Sequence, residues 1–146
     1  MNMSFKKQPL KILIQVAPEL EDMVLALPVI EMLTQQYPHC LIDVLASPRN
    51  KAIGQQHPLI RHVHISDLAT TFKSAKLWAT IRAVKSREYD LFLSLEEHAL
   101  FSWVGWLAGI PRRIGRKKNK LTKWLYTDQI TTPYRLLQHQ VDQNLG

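Results

Sequence analysis

The fold is decided by the stretch LKILIQVAPELEDMVLALPVIEML, which runs from Leu10 to Leu33. Its first part, Leu10–Val16, is a nearly continuous apolar run, as is typical of a strand buried on both faces of a parallel sheet. Its second part, from Met23 onward, carries apolar residues at helical spacing. The carboxylates between the two belong to Glu19, Glu21 and Asp22. The stretch therefore predicts a strand, an acidic loop and a core helix, in that order.

The predicted core helix contains one irregular position. Its apolar stripe is formed by Met23, Leu27, Ile30 and Leu33 and is widened by Val24 and Leu25. Pro28 lies inside this pattern, and a proline lacks the N–H group that the helical ladder needs. We therefore expect either a kink at Pro28 or a short first turn, Asp22–Leu27, that ends before it.

The alternation of strand and helix continues along the chain. Further strands are predicted at Cys40–Ala46, Ile60–Ser66 and Asp90–Leu95, with a shorter candidate in PRRIGR (111–116), and KNKLTKWLYTDQI (118–130) predicts a short helix followed by an edge strand. Further helices are predicted from an N-cap at Ser47 with Pro48 at the first helical position, and over residues 72–89, 99–109 and 133–145. Strands that alternate with helices indicate an α/β domain whose parallel sheet carries helices on both faces.

Composition favours one globular domain. The chain has 146 residues, of which 46% are hydrophobic and 21% are charged. No apolar run reaches the roughly 20 residues of a membrane span, and the N-terminus lacks the features of a signal peptide. Cys40 is the only cysteine, which excludes a disulfide framework and fits a reducing cytoplasm.

The positive charge is concentrated near the C-terminus. The net charge is +7, yet residues 1–110 hold eleven Lys or Arg against ten Asp or Glu, whereas residues 111–146 hold eight against two. Most of the excess lies in PRRIGRKKNKLTK (111–123), which is either a site for an anionic partner or a solvated loop and helix start. No nucleic-acid motif with interleaved aromatic residues accompanies it, so nucleic acid is not the expected partner.

Two acidic loops follow strands of the predicted sheet. The first strand leads to Glu19, Glu21 and Asp22, and the fourth leads to Glu96, Glu97 and His98. Ligands of open α/β sheets bind beyond the carboxyl ends of the strands, which makes both loops candidate site edges. Carboxylates in a first helical turn also stabilise the helix, and both interpretations stay open at this point. The first loop has no glycine-rich phosphate motif.

A metal site is not expected. His62 and His64 share one face of the third predicted strand, but no third ligand lies near them in the sequence.

Taken in order, several segments resemble glycosyltransferase family 9, the bacterial lipopolysaccharide heptosyltransferases. The similar segments are KILIQVAPELEDMVLALPVIEMLTQQYPHCLIDVLASPRNKAI, HPLIRHVH, REYDLFLSL, LAGIPRRIG, LYTDQI and HQVDQNL. The resemblance covers about residues 10–146, and its specificity comes from the order and spacing of the segments.

The resemblance implies a single Rossmann-like, doubly wound parallel sheet over residues 1–146, the N-terminal half of a GT-B glycosyltransferase fold. Such enzymes transfer heptose from an ADP-linked donor to the anionic Kdo–lipid A core, with inversion and without a metal or other cofactor. This half holds the acceptor. Because the donor half has no counterpart here, the chain is expected to be inactive alone, to meet a nucleotide sugar only when a C-terminal half is supplied, and to associate peripherally with the inner membrane.

The resemblance also assigns candidate site residues. Asp22 matches the family's proposed general base, which would take the proton of the acceptor hydroxyl as it attacks the anomeric carbon. The acceptor-binding candidates are Arg112, Arg113, Arg116, Lys117 and Lys118. Glu21, Glu96, Glu97 and His98 are candidates for the edge of the site.

The sequence departs from the family pattern at the site. Glu21 replaces the family glycine before the aspartate, and Leu25 stands where a histidine is frequent. Ser94-Leu95-Glu96-Glu97 stands in place of Asp-x-Gln-Gly. These changes support an alternative, a non-catalytic module that binds the lipopolysaccharide core or a partner chain.

Overall fold

The computed structural model describes residues 10–66, 74–95, 104–116 and 128–130. In chain order the elements are β1 Lys11–Gln15, α1 Leu20–Gln36, β2 Leu41–Ala46, α2 Lys51–Gln56, β3 Ile60–Ile65, α3 Ser74–Ser86, β4 Leu91–Ser94, β5 Arg112–Arg116 and β6 Asp128–Ile130. Residues 104–107 are also helical. The predicted strands are confirmed with slightly shorter bounds, whereas the helix predicted over 133–145 and the short one predicted before the edge strand lie outside the described residues.

The six strands form one sheet in the order β3-β2-β1-β4-β5-β6. Every neighbouring pair is parallel. The chain winds outward from β1 in one direction and then returns to start again at β4, which is the order of a doubly wound, Rossmann-like sheet. The predicted fold class is therefore confirmed. All carboxyl ends of the strands share one edge, which we call the carboxyl edge, and the opposite one is the amino edge.

Alternating side chains of the strands build a core on each side of the sheet. Ile12 and Ile14 of β1 pack with Met23 and Ile30 of α1 on one face. Leu13 packs on the other face in a second cluster. That cluster includes Ile81 and Val84 of α3, Phe92 of β4 and Val104. We call these two sides the α1 face and the α3 face.

A glycine brings the helical segment 104–107 close to β4. A Cβ atom added at Gly105 would lie 2.5 Å from Cδ2 of the Phe92 ring, so only glycine permits this approach. The segment ends where Gly109 adopts a φ of +75°. The N–H of Gly109 donates to the Trp106 carbonyl at 3.1 Å, and that of Ile110 donates to the Gly105 carbonyl at 3.2 Å. This pair of bonds is a Schellman motif, and it confirms the helix end predicted at Gly109.

Three details of the α1 face differ from the sequence-based expectation. The helix α1 continues through Pro28, so the short first turn is wrong. Pro28 lies on the exposed side, where water can bind the carbonyl that its missing N–H leaves open. Val24 and Leu25 do not widen the buried stripe, because they are 52% and 56% exposed.

The helix α2 begins at Lys51 rather than directly after Ser47. The Ser47 N–H donates to Oδ1 of Asn50 at 3.0 Å, and the Ser47 carbonyl accepts from the Lys51 N–H at 3.1 Å. A turn therefore separates β2 from the helix, and the predicted N-cap at Ser47 is wrong.

Candidate functional site

The centre of the carboxyl edge is the point where the strand order reverses, between β1 and β4. Gln15 and Ser94 are register partners there, and both are fully buried. The Ser94 hydroxyl donates to Oε1 of Gln15 at 2.8 Å, and the Gln15 amide donates to the Val16 carbonyl at 3.1 Å. Two polar side chains thus join the ends of β1 and β4 at the position where sheets of this order form a ligand crevice.

The loop between β1 and α1 is held by two side chains of the β2–α2 turn. Asn50, fully buried, donates from Nδ2 to the carbonyls of Ala17 at 2.8 Å and Glu19 at 2.9 Å. The hydroxyl of Ser47 donates to the Pro18 carbonyl at 2.6 Å. Three successive carbonyls of the loop are therefore bound from behind, and we call Ser47 and Asn50 the loop clamp.

Asp22 lies in the first turn of α1, which begins at this loop. Its Oδ2 accepts a hydrogen bond from the N–H of Glu19 at 3.0 Å, so the carboxylate caps the start of the helix. Asp22 is half-buried, whereas the neighbouring Glu21 is exposed. The arrangement gives a carboxylate with a fixed position at the carboxyl edge, beside the ends of β1 and β2, where it can accept a proton from a ligand hydroxyl.

Glu19 precedes the helix and forms an ion pair with Arg49. The Arg49 Nη1 to Glu19 Oε1 distance is 2.6 Å, and the two side chains are 61% and 48% exposed. An ion pair this exposed stabilises the fold by at most about 1 kcal/mol. Its effect is local, because it neutralises one of the three carboxylates of the loop.

The structure divides the predicted acceptor-binding residues between the two edges of the sheet. Arg112 and Arg113 begin β5 at the amino edge, where Arg112 is in register with Leu91 of β4. Arg113 donates to the Ile110 carbonyl at 2.6 Å, and its partial burial lowers the pKa of its guanidinium. Arg116 ends β5 at the carboxyl edge, the edge at which Asp22 lies.

Five predicted site residues lie outside the described residues, namely Glu96, Glu97, His98, Lys117 and Lys118. Within the described part of the chain, no group of three His, Cys, Asp or Glu side chains is arranged to hold a metal ion.

A second polar cluster, which the sequence analysis missed, lies on the α3 face of the sheet. Asp43 of β2 is fully buried and accepts from Nε of Arg61 at 3.0 Å and from Nη2 at 2.8 Å. The Tyr89 hydroxyl donates to Oδ2 of Asp43 at 2.5 Å. Because the single Tyr89 proton is used there, Nε2 of His64, 2.8 Å from the same hydroxyl, must donate to it.

A register shift in β3 makes this cluster possible. Ile60 pairs with Ile42 and His62 pairs with Asp43, so Arg61 is the extra residue of a bulge. A bulge re-aims side chains, and here it directs the guanidinium of Arg61 to the carboxylate.

Burial and neighbouring charges shift the pKa values of the groups in this cluster. Burial alone would raise the pKa of the Asp43 carboxyl, but the hydrogen bonds from Arg61 and Tyr89 and the charges of Arg61 and Arg87 hold it below its ordinary value. Burial and the charges of His62 and Arg87 lower the pKa of His64 to about 4. Burial and the bond to Asp43 raise the pKa of Tyr89.

The cluster is built for stability rather than for ligand binding. Tyr89 and Arg87 belong to the turn before β4, at the amino edge, away from the ligand crevice. The one signal in the sequence was a carboxylate in the apolar strand LIDVLA, since a buried charge requires partners.

Comparison with solved structures identifies the fold. No protein-family model matches the sequence, and no curated protein matches it significantly. The glycosyltransferase of family 9 from Veillonella parvula superposes with a TM-score of 0.77 at 19% identity, over 93% of this chain and 41% of its own.

Two Escherichia coli enzymes are also similar. ADP-heptose lipopolysaccharide heptosyltransferase II gives a TM-score of 0.71 at 20% identity, over 86% of this chain and 36% of its own. Heptosyltransferase WaaC, solved with ADP, gives 0.73 at 14% identity, over 94% and 48%. The chain therefore spans less than half the length of these structures. The resemblance to family 9 glycosyltransferases that the sequence predicts is confirmed at the level of the fold.

Proposed function

We propose that this chain is the acceptor-side half of a heptosyltransferase-like glycosyltransferase. In this proposal a second, donor-side half supplies a nucleotide sugar, and the sugar passes with inversion and without a metal to an anionic, lipid-linked acceptor of the Kdo–lipid A type. The chain alone binds the acceptor and is inactive in transfer.

The observation that carries the proposal is the position of Asp22. A half-buried carboxylate stands at the N-terminus of α1 on the carboxyl edge of a sheet with this strand order. Its Oδ2 is oriented by the Glu19 N–H, and the loop behind it is held by the loop clamp. Rigid support of this kind is what a general base needs, because proton transfer requires hydrogen-bond distance to the acceptor hydroxyl.

The chemistry assigned to Asp22 is concerted. A carboxylate is a weak base toward a sugar hydroxyl, so it removes the proton only as the oxygen attacks the anomeric carbon and the nucleoside diphosphate departs on the opposite side. The remaining acceptor-binding candidates are cations, which suit phosphate and carboxylate groups. Arg116 is favoured among the described ones because it ends β5 at the carboxyl edge.

The direct test is transfer from ADP-heptose to Kdo–lipid A by this chain combined with the donor-side half of a family 9 glycosyltransferase. We expect Asp22→Asn to reduce turnover by a factor of about 100 or more, the usual contribution of general base catalysis. The substitution keeps an oxygen that can accept from the Glu19 N–H, so the helix start is retained. Glu31→Gln, at an exposed carboxylate farther along the same helix, is the matched control and should leave turnover within a few fold. Equal turnover in the wild type and the Asp22→Asn variant would remove Asp22 as the base.

A second candidate function is a module that binds the acceptor without catalysis. It is favoured by Glu21, an exposed carboxylate that no described cation neutralises, which puts negative charge and bulk at the start of α1, where an incoming diphosphate would approach. Titration of the isolated chain with Kdo–lipid A and with ADP-heptose, followed by the transfer assay above, separates the two. Binding of Kdo–lipid A without transfer in any combination supports the module, and binding of neither ligand contradicts both candidates.

A further inference from the structure

The helix α1 is apolar on its outer side as well as on the side that faces the sheet. Of the fourteen residues over Leu20–Leu33, only Glu21, Asp22 and Glu31 are polar. A helix that is hydrophobic all round is normally buried, because the outer side of an ordinary surface helix is solvated through polar residues. This part of α1 therefore has the composition of a helix packed between two layers.

The exposed apolar side chains lie together at the start of the helix. Leu20, Val24 and Leu25 are each more than half exposed. Leu20 and Val24 are one turn apart on the same side, and Pro28, which is also exposed, continues their row by another turn. We call these four residues the outer α1 surface. An exposed apolar patch of this kind marks an interaction site.

The helix α3 shows the ordinary pattern for comparison. It buries Ile81 and Val84 against the sheet and exposes three cations on its outer side. Trp78 is the one large apolar side chain that is exposed among its described residues. The apolar outer side is therefore a property of α1 and not of every helix that covers this sheet.

The outer α1 surface lies beside the candidate base. Because α1 follows β1, it begins at the carboxyl edge and runs toward the amino edge. Leu20 and Val24 are each two residues from Asp22 along the chain, so the apolar surface and the half-buried carboxylate occupy the same end of the helix. A partner that covers Leu20 and Val24 consequently also approaches Asp22.

The size of this surface and the length of the chain indicate the partner. A stable complex of two free proteins buries about 800 Å² on each of them, far more than three half-exposed side chains and a proline provide. The surface suits a partner that a linker or a shared ligand already holds nearby. The chain spans 41%, 36% and 48% of the three solved structures reported above, so more than half of each of those proteins has no counterpart in it.

We propose that the outer α1 surface is the docking surface for the donor-side half, which closes over Leu20, Val24 and Leu25 and so meets Asp22. This inference rests on the proposed function, because it takes its partner from there. It holds whether the two halves are linked or separate. Each half-exposed leucine or valine that becomes buried contributes roughly fivefold to the affinity.

The first experiment measures docking without chemistry. The full chain is titrated by calorimetry with the donor-side half of a family 9 glycosyltransferase in the presence of ADP. The wild type should bind, and Leu20→Gln/Val24→Gln should bind about 25-fold more weakly, from the loss of two apolar contacts. Glutamine retains the helix propensity that these positions need. The matched control, Leu59→Gln/Trp78→Gln, removes two exposed apolar side chains elsewhere and should bind within a few fold of the wild type.

A second measurement leaves most of the surface intact. A single thiol is introduced by Leu25→Cys in a chain that also carries Cys40→Ser. Its reaction with a maleimide should slow by about tenfold or more when the donor-side half is bound, because bulky reagents do not reach a buried thiol. Trp78→Cys in the same Cys40→Ser chain is the control and should react at one rate with and without the donor-side half.

The transfer assay separates docking from catalysis. Leu20→Gln/Val24→Gln should lose turnover at low concentrations of the donor-side half and recover it at high concentrations, because only the association is weakened. Asp22→Asn should not recover at any concentration of that half.

Each outcome decides between the inference and its alternatives. Equal binding by the wild type and Leu20→Gln/Val24→Gln, with transfer intact, would overturn the docking surface and leave the proposed function in place. Binding through this surface without transfer would support the docking surface and count against the proposed function, and neither binding nor transfer by the wild type would remove both. Self-association of the wild type, or binding to lipid vesicles, that is lost in Leu20→Gln/Val24→Gln would assign the surface to a second copy or to acyl chains and overturn the inference.

Discussion

Replacement of Asn50 tests whether the loop clamp holds the start of α1. Asn50 makes three hydrogen bonds, to the carbonyls of Ala17 and Glu19 at 2.8 and 2.9 Å and from the Ser47 N–H at 3.0 Å. Each such bond contributes about 1 kcal/mol net, and a buried group left without its partner costs about 1–3 kcal/mol. We therefore expect Asn50→Ala to lower the free energy of unfolding by about 2–4 kcal/mol.

Asn50→Asp is the sharper variant because it changes one atom and almost no volume. One aspartate oxygen can still accept from the Ser47 N–H. The other takes the place of Nδ2 and faces two carbonyl oxygens, so two attractive contacts become repulsive. The new charge is also fully buried, which adds a desolvation cost. We expect Asn50→Asp to be less stable than Asn50→Ala at neutral pH, although alanine removes more hydrogen-bonding atoms.

The assay is urea denaturation of both variants, with amide hydrogen exchange over residues 17–22 as the local measurement. Gln55→Ala, at an exposed amide of α2, is the control and should change stability by at most about 0.5 kcal/mol. In the Asn50 variants, the rate of amide hydrogen exchange should increase more in residues 17–22 than in the strands of the sheet. The reasoning is refuted if Asn50→Ala behaves like Gln55→Ala, or if Asn50→Asp is as stable as the wild type.

Two further predictions concern the α3 face. The pKa of His64 is lowered from 6.5 to about 4 by burial and neighbouring charges, so between these pH values the unfolded chain binds a proton that the folded chain does not. The free energy of unfolding should therefore fall between pH 7 and pH 4 by roughly 2 kcal/mol more in the wild type than in His64→Gln. Urea denaturation at each pH measures this difference, and parallel pH profiles of the two proteins would contradict the prediction. Gly105→Ala forces a methyl group to within 2.5 Å of the Phe92 ring and should destabilise the fold by about 1–3 kcal/mol. Adding Phe92→Leu to this variant should recover part of the loss. If the effects of the two substitutions on the free energy of unfolding simply add in a double-mutant cycle, the contact is not the cause.

The sheet could be predicted from the sequence because its signal is local. Central strands buried on both faces read as nearly continuous apolar runs, as in β1 and β4 and, apart from Asp43, in β2. The carboxyl edge followed from the parallel arrangement, and Asp22 followed from the loop that ends β1. In the structure Asp22 lies in the first turn of α1, directly after that loop.

The supporting contacts could not be predicted because they join distant parts of the chain. Asn50 reaches carbonyls 33 and 31 residues away. Tyr89 reaches Asp43 across 46 residues, and Arg61 reaches it only because β3 contains a bulge. Spacing along a sequence reports the face of one element, whereas these contacts depend on which elements are neighbours and on their register.

The exposure of Val24 and Leu25 was missed for a related reason. An apolar pattern shows how wide a stripe is, but the sheet beneath a helix covers only part of its circumference. Met23, Ala26, Val29, Ile30 and Leu33 fill that part in α1, whereas Leu20, Val24 and Leu25 are exposed. The width of the stripe was therefore a signal of exposed apolar surface rather than of a deeper core.

The two polar clusters of this fold indicate by their electrostatics which end of the sheet can bind a ligand. On the α3 face, the Asp43 carboxylate is fully buried in the middle of β2 and its oxygens are bound by Arg61 and Tyr89, so a ligand would have to displace internal partners. At the carboxyl edge, the buried side chains of the loop clamp bind three backbone carbonyls of the loop, and Glu19 and Glu21 are exposed in front of them. A loop whose carbonyls are fixed by buried side chains stays rigid, and its exposed side can contact a ligand without breaking internal hydrogen bonds. These electrostatics favour the carboxyl edge over the Asp43 cluster for ligand binding, and they do so independently of any family resemblance.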